Sequence, residues 1–548
     1  MKKWFSILMV LMMGVGLVSG CGNSESNSKN KETPPVSSPE KEDSQSNETE
    51  EKELSFTFFM NRDVADPPWG EDSTSKWIQE NKKVNIDYIP SNGNAKQKLN
   101  TLIVGEDLPD VIRMHIKDVD RFIEAGDIIP LDEFITEDTN LYKWVGKELL
   151  DMLRAEDGKL YTIPNWFIGG KQGNGNGGWI VNQKIYKELG SPKLETTDDL
   201  EAYLRMVKDK YPNVVPLEMN VSQFNSFETL YSAFGEDRTN YYFGNLFYQD
   251  GNDLKSIVDD PAFKEMVFYA NRLFREKLIT QDVFTQKSDQ VKEKVEQERV
   301  AVFASGNVMS IGGPANAVLK AKDPEGGYDM IWPIHKAGLD KDKIYPNSYN
   351  RLGGGAGHAV ITKNAKDPQA IFNFLDWALG EEGQRVAFFG PPGLYWDEYD
   401  EEGTPIPNEA YLESDFNEQK AHGLRQYVIV GNTTYVDRTK INMEHMLPEE
   451  KRDWTAMAQT NVAWKTTYNV TPFANTEPPT NSDEGIIAQG IKDIFDQAFA
   501  KMIYAESEEK LLSILDKTKS DMEKAGMDKL LQYKQKVWEQ NKKVLKID

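Results

Sequence analysis

Hydrophobic positions in the first part of the globular chain change their period several times. Short apolar runs at residues 54–60 (LSFTFFM), 84–89 (VNIDYI) and 108–112 (LPDVI) predict strands, whereas residues 75–83 and 95–104 have helical spacing. The order strand, helix, strand, helix, strand predicts a parallel or mixed sheet. Open sheets of this kind bind ligands beyond the carboxyl ends of their strands, so the loops after these runs are candidate binding segments.

The alternation of strands and helices continues along the rest of the chain. Strands are predicted at residues 179–182, 300–303 and 358–362, and helices at residues 184–190, 196–211, 261–277, 367–379, 485–503, 507–525 and 527–542. The helix at 196–211 has a clear start signal, because two threonines precede two aspartates there. The sequence therefore predicts an α/β fold with helices at its C-terminal end.

The segment 1–20 has the pattern of a bacterial lipoprotein signal peptide. Two lysines precede an apolar run from Trp4 to Val18, which has the length of a signal-peptide core and is short for a membrane span. Small residues then lead to Cys21, as in a lipobox, where the cysteine thiol receives the lipid. Lipidation of Cys21 is therefore predicted, and the alternative is an ordinary signal peptide or N-terminal anchor with a chance cysteine.

Residues 21–53 are predicted to form a disordered tether. The segment is rich in Ser, Asn, Glu, Lys and Pro, and Val36 is nearly its only sizeable apolar residue. It cannot bury enough surface to offset the entropy of ordering. A diacylglyceryl group supplies two buried chains, which is enough for stable anchoring. The sequence thus predicts a globular body held on the extracytoplasmic face of the cell membrane through its lipid alone.

The composition excludes several classes of function. The 548 residues carry a formal net charge of −24, and non-specific nucleic-acid binding needs a positive surface. Cys21 is the single cysteine, so an intrachain disulfide is excluded. The histidines are scattered and no HExxH pattern occurs, so no zinc site is expected. Because the sequence has no Walker A motif, any ATP hydrolysis is expected to belong to another chain.

Several segments, taken in order, resemble those of a known family. They are residues 96–111 (KQKLNTLIVGEDLPDV), 125–132 (AGDIIPLD), 157–164 (DGKLYTIP), 360–383 (VITKNAKDPQAIFNFLDWALGEEG) and 526–535 (GMDKLLQYKQ). Their order resembles the bacterial extracellular solute-binding proteins of ABC transporters, most closely the large carbohydrate-binding lipoproteins of the family 1 type, with LplA, YtcQ and alginate-binding members. The resemblance spans nearly all of residues 54–548, although residues 180–186 are nearer the general sugar-binding pattern.

That resemblance implies an α/β, two-lobed periplasmic-binding-protein-like fold of the class II type, with a hinge and an interlobe ligand cleft. The expected parts are residues 54–165 and 346–400 in the N-lobe, 166–345 in the C-lobe, and 401–548 mainly in the C-lobe with C-terminal helices. It also implies closure of the lobes on a carbohydrate, expected to be an oligosaccharide, without catalysis. The expected partners are the permease subunits of an ABC importer, and the chain is expected to be a monomer without a cofactor.

Twelve residues are candidates for contact with a carbohydrate. Sugar recognition needs flat apolar rings for the C–H faces and polar side chains for the hydroxyls. The candidates follow predicted strands, the first implied crossover between lobes, or glycine- and proline-rich turns. They are Asn61, Trp69, Arg113, His115, Asn165, Trp166, Phe167, Asn307, Tyr349, Arg351, Tyr395 and Trp396. The alternative for the aromatic residues is packing beneath a loop, and for the polar residues it is a structural hydrogen bond.

Two further motifs have a structural and a chemical interpretation. Gly173, Gly175 and Gly178 satisfy GxGxxG, but no strand–turn–helix unit surrounds them, so a flexible loop is expected rather than a dinucleotide site. Asp397, Asp400 and Glu402, near Gly403, could bind calcium as some relatives do, although their spacing is not that of an EF-hand. A solvated acidic loop is expected there, and no metal ligands are predicted.

Two other functions remain open at this point. A cell-surface enzyme acting on polysaccharide would need a pair of carboxylates a few ångströms apart in the cleft. A binding lipoprotein for peptides or another solute would have few aromatic platforms in its cleft. Within the carbohydrate hypothesis, the negative charge of the chain favours a neutral sugar, while Arg113, Arg351 and Lys171 are the cations that would serve a uronate.

Overall fold

Two four-stranded sheets, each with its own hydrophobic cores, organise the part of the chain that the computed structural model describes. The described residues are 53–61, 69–170, 173–222, 224–353 and 356–547. The strands are β1 Leu54–Met60, β2 Val84–Ile89, β3 Val111–His115, β4 Gly178–Asn182, β5 Val215–Glu218, β6 Phe247–Asp250, β7 Asp253–Ser256, β8 Val300–Ser305, β9 Tyr328–Ile331, β10 Asn347–Tyr349, β11 Ala356–Ile361, β12 Trp396–Tyr399, β13 Pro405–Pro407 and β14 Thr467–Asn469.

Helices lie between most of these strands and follow the last of them. They are α1 Ser73–Lys82, α2 Ala95–Val104, α3 Val119–Glu124, α4 Asn140–Val145, α5 Lys147–Met152, α6 Gln183–Glu188, α7 Thr197–Lys210, α8 Ser226–Ser232, α9 Asn240–Asn245, α10 Pro261–Arg275, α11 Ser288–Glu296, α12 Met309–Lys322, α13 Pro368–Leu379, α14 Glu381–Phe389, α15 Glu409–Glu413, α16 Phe416–Ala421, α17 Thr433–Met446, α18 Trp454–Asn461, α19 Asp483–Ile503, α20 Glu508–Ala525 and α21 Met527–Leu545. As the sequence predicts, Thr196 caps α7 in a capping box with Asp199.

The first sheet, in the order β11-β3-β1-β2, forms the N-lobe. Strand β1 is parallel to β2 and β3, and β11 is antiparallel to β3. Phe58 faces one core together with Leu375 of α13, and its neighbour Phe59 faces another together with Leu99 of α2. Successive side chains of a strand point to opposite faces. The apolar run of β1 is therefore buried on both sides, as expected for a central strand covered by helices.

The second sheet, in the order β5-β8-β4-β9, forms the C-lobe. Strand β5 is parallel to β8, whereas β4 is antiparallel to both β8 and β9. Trp179 faces the larger core together with Leu200 of α7 and Phe263 of α10, and Ile180 faces a smaller core together with Ala315 of α12. All residues of β8 are buried, so this sheet also has both faces covered.

The chain passes between the two lobes at paired backbone segments. Strands β10 and β14 pair in parallel, with Asn347 opposite Thr467. Shortly after β14, Phe473 packs in the C-lobe core while the next residue, Ala474, packs in the N-lobe core. Because two consecutive residues pack in different lobes, this backbone lies at the junction of the lobes, which is the expected position of a hinge.

Residues 401–548 divide between the lobes. Helix α17 packs on α14 of the N-lobe, and Ile429 lies in the N-lobe core. Ala458 of α18 packs with α12 of the C-lobe, and α19 and α21 supply Phe495 and Trp538 to the larger C-lobe core. The segment was expected mainly in the C-lobe, and α17 is a part of it that packs on the N-lobe side. An amphipathic pattern identifies a helix without identifying the core it covers, which is why the sequence did not separate the two parts.

Residues Lys52–Asp548 form one compact unit. Within the described ranges, every helix is too short or too polar to cross a bilayer. The predictions of a signal peptide at 1–20, a lipidated Cys21 and a tether at 21–53 concern residues outside the described ranges, so they stay predictions.

Candidate ligand-binding site

Both sheets present the carboxyl ends of parallel strands to the segment that joins the lobes. In the N-lobe, Ile163 pairs antiparallel with Ala359 of β11, so the next residues run toward the carboxyl end of β3. In the C-lobe the same segment enters β4 at Gly178, opposite Ser305 at the carboxyl end of β8. Binding sites of open α/β sheets form at such ends. We call these strand ends, with the chain between them, the interlobe edge.

Trp166 presents an exposed aromatic ring on the N-lobe side of the interlobe edge. Its backbone φ is 59°, and its N–H donates a hydrogen bond of 2.7 Å to the carbonyl oxygen of Gly431. The indole also meets Phe388 edge to face, with 5.7 Å between the ring centroids. A bulky residue in the left-handed region is strained, and such strain concentrates at functional sites. With 38% of its surface exposed, the ring retains an area for a ligand.

Phe224 presents a second exposed ring, on the C-lobe side. It also has a positive φ, of 55°, and 43% of its surface is exposed. Its carbonyl oxygen accepts hydrogen bonds from the Ser305 hydroxyl at 2.9 Å and from the Gly306 N–H at 3.2 Å. These two bonds fix the ring beside the carboxyl end of β8.

A cavity of about 140 Å³ lies beside Phe224. Besides the phenyl ring it is lined by amides, hydroxyls, one carboxylate, one ammonium group and one aliphatic side chain. These belong to Asn220, Ser288, Asp289, Lys292, Ser305, Asn307, Ser310 and Ile311. The predicted residue Asn307 therefore lies in this cavity. A ring next to many hydroxyl and amide groups can pack against the C–H face of a sugar and bond its hydroxyls.

Asn61 and His115 lie at the carboxyl ends of N-lobe strands, as the sequence predicts. Asn61 follows β1 and is half-buried, and His115 is the last residue of β3. The Nδ1 atom of His115 accepts a hydrogen bond of 3.3 Å from the Lys117 N–H. Burial lowers the pKa of His115, and the positive charge of Lys117 lowers it further. His115 is therefore a neutral hydrogen-bonding group at pH 7.

Asn165 is buried, and only one of the two polar atoms of its side-chain amide forms a hydrogen bond. Its Oδ1 atom accepts a hydrogen bond from the Gly431 N–H, but its buried Nδ2 atom has no partner. An unsatisfied buried donor costs about 1–3 kcal/mol. A Cβ atom at Gly357 would lie 2.9 Å from this Nδ2 atom, so glycine is required for the approach. Asn165 thus bonds to Gly431 and packs closely against Gly357 of β11.

The two predicted arginines form structural hydrogen bonds instead of facing open space. Arg113 is buried, and its Nη1 atom donates to the carbonyl oxygen of Val428 at 2.7 Å. Arg351 donates from Nη2 to the Gly169 carbonyl oxygen at 3.0 Å and forms an ion pair of 3.2 Å with Glu148. These contacts agree with structural hydrogen bonds, and the contact of both arginines with a ligand stays a prediction.

Four predicted aromatic residues pack against the rest of the protein, which agrees with packing beneath a loop, and their contact with a ligand stays a prediction. Phe167, Tyr395 and Trp396 are buried, so their rings have no open face. Trp69 packs edge to face on Tyr427, with 5.3 Å between ring centroids, and donates from Nε1 to the Val84 carbonyl oxygen at the amino end of β2. Each follows a glycine- or proline-containing turn, where loop packing and ligand contact give the same sequence pattern.

Tyr349 has an intermediate position. It is half-buried at the end of β10, and burial raises the pKa of its hydroxyl. Its carbonyl oxygen accepts a hydrogen bond of 2.9 Å from the Val470 N–H. Its contact with a ligand stays a prediction.

A family model for bacterial extracellular solute-binding proteins matches residues 69–385. The chain belongs to this family. Among solved structures, the alginate-binding protein AlgQ2, in a form without calcium ion, has 17% sequence identity and a TM-score of 0.66, over 89% of this chain and 98% of AlgQ2. FusA of S. pneumoniae in complex with kestose has 19% identity and a TM-score of 0.66, over 89% of this chain and 99% of FusA.

A solute-binding protein from Bifidobacterium longum infantis, described as HMO-binding and associated with an ABC transporter, has 15% identity and a TM-score of 0.67. That match covers 90% of this chain and 99% of the other. No curated protein matches the sequence. The predicted family and the predicted two-lobed α/β fold of periplasmic-binding-protein type are thereby confirmed. At these identities the neighbours establish the fold alone.

The glycine-rich segment of this solute-binding protein is tightly packed at its described residues 173–178, which corrects the expected flexible loop. A Cβ atom at Gly173 would lie 2.6 Å from the Trp464 carbonyl oxygen, and one at Gly175 would lie 2.6 Å from Cγ of Asn347. The glycines therefore permit close backbone contact where the chain crosses between lobes, which explains the GxGxxG match.

The acidic residues at 397–402 lie in β12 and in the turn that joins it to β13. Oδ1 of Asp400 accepts hydrogen bonds of 2.9 Å from the N–H groups of Glu402 and Thr404. These bonds close the turn. Across the described ranges, no three His, Cys, Asp or Glu side chains are grouped closely enough to hold a metal ion.

The sequence did not identify Phe224 or most of the cavity beside it. Phe224 precedes Asn225, which caps α8 by accepting a hydrogen bond from the Phe227 N–H. An apolar residue before a cap is usually a packing residue of the helix start, so the pattern does not suggest an exposed ring. Only the serines at two helix starts could have indicated the cavity from the sequence. Ser288 begins α11 and Ser310 lies in the first turn of α12, and both helices are close in sequence to the predicted strand at 300–303.

Proposed function

We propose that this protein binds an oligosaccharide at the interlobe edge and delivers it to the permease of an ABC importer. The observation that carries the proposal is the pair of exposed, left-handed aromatic residues, Trp166 and Phe224, one on each lobe. Beside Phe224 the C-lobe cavity supplies amide and hydroxyl groups. This combination is what a polyol with apolar C–H faces requires.

The neighbouring structures support a carbohydrate as the solute. AlgQ2 is an alginate-binding protein and FusA was crystallised with kestose. Alginate and kestose are the ligands of AlgQ2 and FusA and not of this chain. They show that proteins of this fold bind carbohydrates of different chemistry. The neighbour from Bifidobacterium is associated with an ABC transporter, which supports the proposal of delivery to a permease.

The proposed mechanism is closure of the two lobes around the sugar. The paired strands β10 and β14 lie where the chain contacts both cores, so small backbone changes there would move the lobes as bodies. A ligand that contacts both Trp166 and Phe224 makes all its contacts only in the closed arrangement. It therefore shifts the population toward the closed state.

The proposal includes attachment to the cell membrane through Cys21. The apolar segment before it and the polar segment 21–53 after it support anchoring by lipid with a long tether. In this proposal the protein acts as a monomer on the extracytoplasmic face and without a cofactor.

The test is a thermal-unfolding screen of the purified protein against plant, microbial and algal oligosaccharides. A sugar that binds the folded state must raise the melting temperature according to its affinity and concentration. We expect a shift with one class of sugar and recovery of that sugar intact by mass spectrometry. A cleaved sugar would favour the enzyme alternative, and shifts with peptides but with no sugar would favour a peptide receptor.

A further inference from the structure

The charges around the C-lobe cavity point to a particular class of sugar. Asp289 lies in the first turn of α11 and Lys292 one turn later, and both line the cavity. The Nζ atom of Lys292 lies 3.7 Å from a carboxylate oxygen of Glu296 on the same helix. The ammonium group of Lys292 thus pairs with Glu296, which is outside the cavity lining, and Asp289 is the one carboxylate that lines the cavity.

Helix starts at the cavity do not offset the negative charge of Asp289. The amino end of a helix favours anions through its free N–H groups. At α12, however, the Ser310 N–H donates to Oδ1 of Asn307 at 3.1 Å. At α8, the Phe227 N–H donates to Oδ1 of Asn225 at 3.0 Å. At α11, Asp289 itself occupies the first turn, where it neutralises the positive end of the helix.

The arginines that a uronate would need are engaged elsewhere. Arg113 is buried and bonded to the Val428 carbonyl oxygen, and Arg351 is held between the Gly169 carbonyl oxygen and Glu148. Moving either guanidinium to a ligand would leave buried or paired acceptors unsatisfied. Lys171, the third cation that the sequence suggested, lies outside the described residues.

We infer that the C-lobe cavity selects neutral sugar units and that Asp289 is the specificity-determining residue that disfavours carboxylate-bearing units. The inference rests on the proposed function, since it concerns the same site. The Asp289 carboxylate accepts hydrogen bonds from sugar hydroxyls, whereas it repels a uronate carboxylate in the same position. Because Asp289 is exposed, the repulsion is modest and is screened by salt.

The test compares matched ligands by calorimetric titration of the purified protein. Each hexose oligosaccharide is paired with the form whose C6 hydroxymethyl groups have been oxidised to carboxylates, so that charge is the main difference. At low ionic strength the neutral form is expected to bind at least about threefold more tightly. The ratio is expected to shrink as salt is raised, because screening acts on the charged form alone.

Asp289→Asn identifies the residue responsible. This variant keeps the hydrogen-bonding shape and removes the charge, and it is expected to reduce the ratio by about threefold, mainly through tighter uronate binding. Asp516→Asn is the matched control, because Asp516 is exposed on α20 and does not line the cavity. It should leave the ratio unchanged.

The outcomes separate the role of Asp289 and the preference for neutral sugars from the proposed carbohydrate-binding function. Uronate forms that bind as tightly as the neutral forms, or more tightly, overturn the inference while the carbohydrate function stands. A neutral preference that survives Asp289→Asn unchanged overturns the role of Asp289. If neither form of any oligosaccharide binds, the proposed function itself fails.

Discussion

The side-chain amide of Asn347 forms two hydrogen bonds with the backbone of Gly177. The Gly177 N–H donates to Oδ1 at 2.6 Å, and Nδ2 donates to the Gly177 carbonyl oxygen at 2.9 Å. Gly177 belongs to the first crossover between the lobes and Asn347 begins β10, which pairs with β14. One buried amide thus joins separate parts of the chain at the place where the lobes meet.

Asn347→Ala is expected to lower the free energy of unfolding by about 2 kcal/mol or more, because it leaves a buried backbone N–H and carbonyl group unpaired. Urea unfolding followed by far-ultraviolet circular dichroism measures the change. Asn373→Ala is the control, since Asn373 is exposed on α13, and a change within about 0.5 kcal/mol is expected there. Equal effects of the two substitutions would contradict the structural role given to Asn347.

Trp166→Ala is expected to weaken oligosaccharide binding at least about tenfold, because it removes a stacking surface of the N-lobe. The loss of stability should be smaller than for a buried tryptophan, since the ring is partly exposed. Calorimetric titration gives the affinity. Trp377→Ala is the matched control: Trp377 lines a separate cavity of about 560 Å³ with Trp144 on the N-lobe. A larger loss of affinity for Trp377→Ala would move the site to that cavity.

Gly431→Ala tests how Trp166 is held. A Cβ atom at Gly431 would lie 2.7 Å from Cδ2 of the Trp166 indole, so the ring has to move. Sugar affinity is expected to fall in the wild-type background and to change little in a Trp166→Ala background. The double-mutant cycle measures this coupling, and additive effects of the two substitutions would show that Gly431 does not act through the ring.

His358 predicts a pH dependence of stability. Burial, and to a smaller extent the nearby His115, lowers the pKa of its imidazole from an ordinary value of 6.5 to about 3. The unfolded state therefore binds a proton below pH 6.5 that the folded state does not bind. The stability is complete above pH 6.5 and falls by about 1.4 kcal/mol per pH unit below it, until the folded pKa is reached.

His358→Asn removes this titration, so its unfolding free energy should fall less steeply than that of the wild type between pH 6.5 and pH 5. Urea unfolding across that range provides the comparison. His445→Asn is the control, because His445 is exposed on α17. Parallel pH profiles for the wild type and His358→Asn would mean that His358 does not titrate in this way.

The strands and helices with strong periods were predictable from the sequence, and the short polar strands were not. The apolar run of β1 and the helices α19–α21 are long enough to have a clear period. Strands β10 and β14 have three residues each and contain asparagine, tyrosine and threonine. Their pairing depends on two lobes meeting, which no local pattern encodes.

The candidate site was predictable only in part for a related reason. Trp166 and Asn307 follow elements that the sequence identifies, and the structure places both at the interlobe edge. Phe167, the neighbour of Trp166, is buried instead, because the positive φ of Trp166 turns one ring outward and the next inward. The backbone of Trp166 is held by its hydrogen bond to Gly431. Gly431 also bonds to Asn165, from which it is 266 residues away in sequence, so no local pattern encodes this conformation.

The measurement that tests the central claim most directly is a crystal structure of the protein with the oligosaccharide that raises its melting temperature most. The account predicts an intact sugar at the interlobe edge, with one ring against Trp166 and hydroxyl groups bonded in the cavity beside Phe224. A sugar bound in the Trp144–Trp377 cavity, or a site at the interlobe edge filled by a peptide, would contradict it.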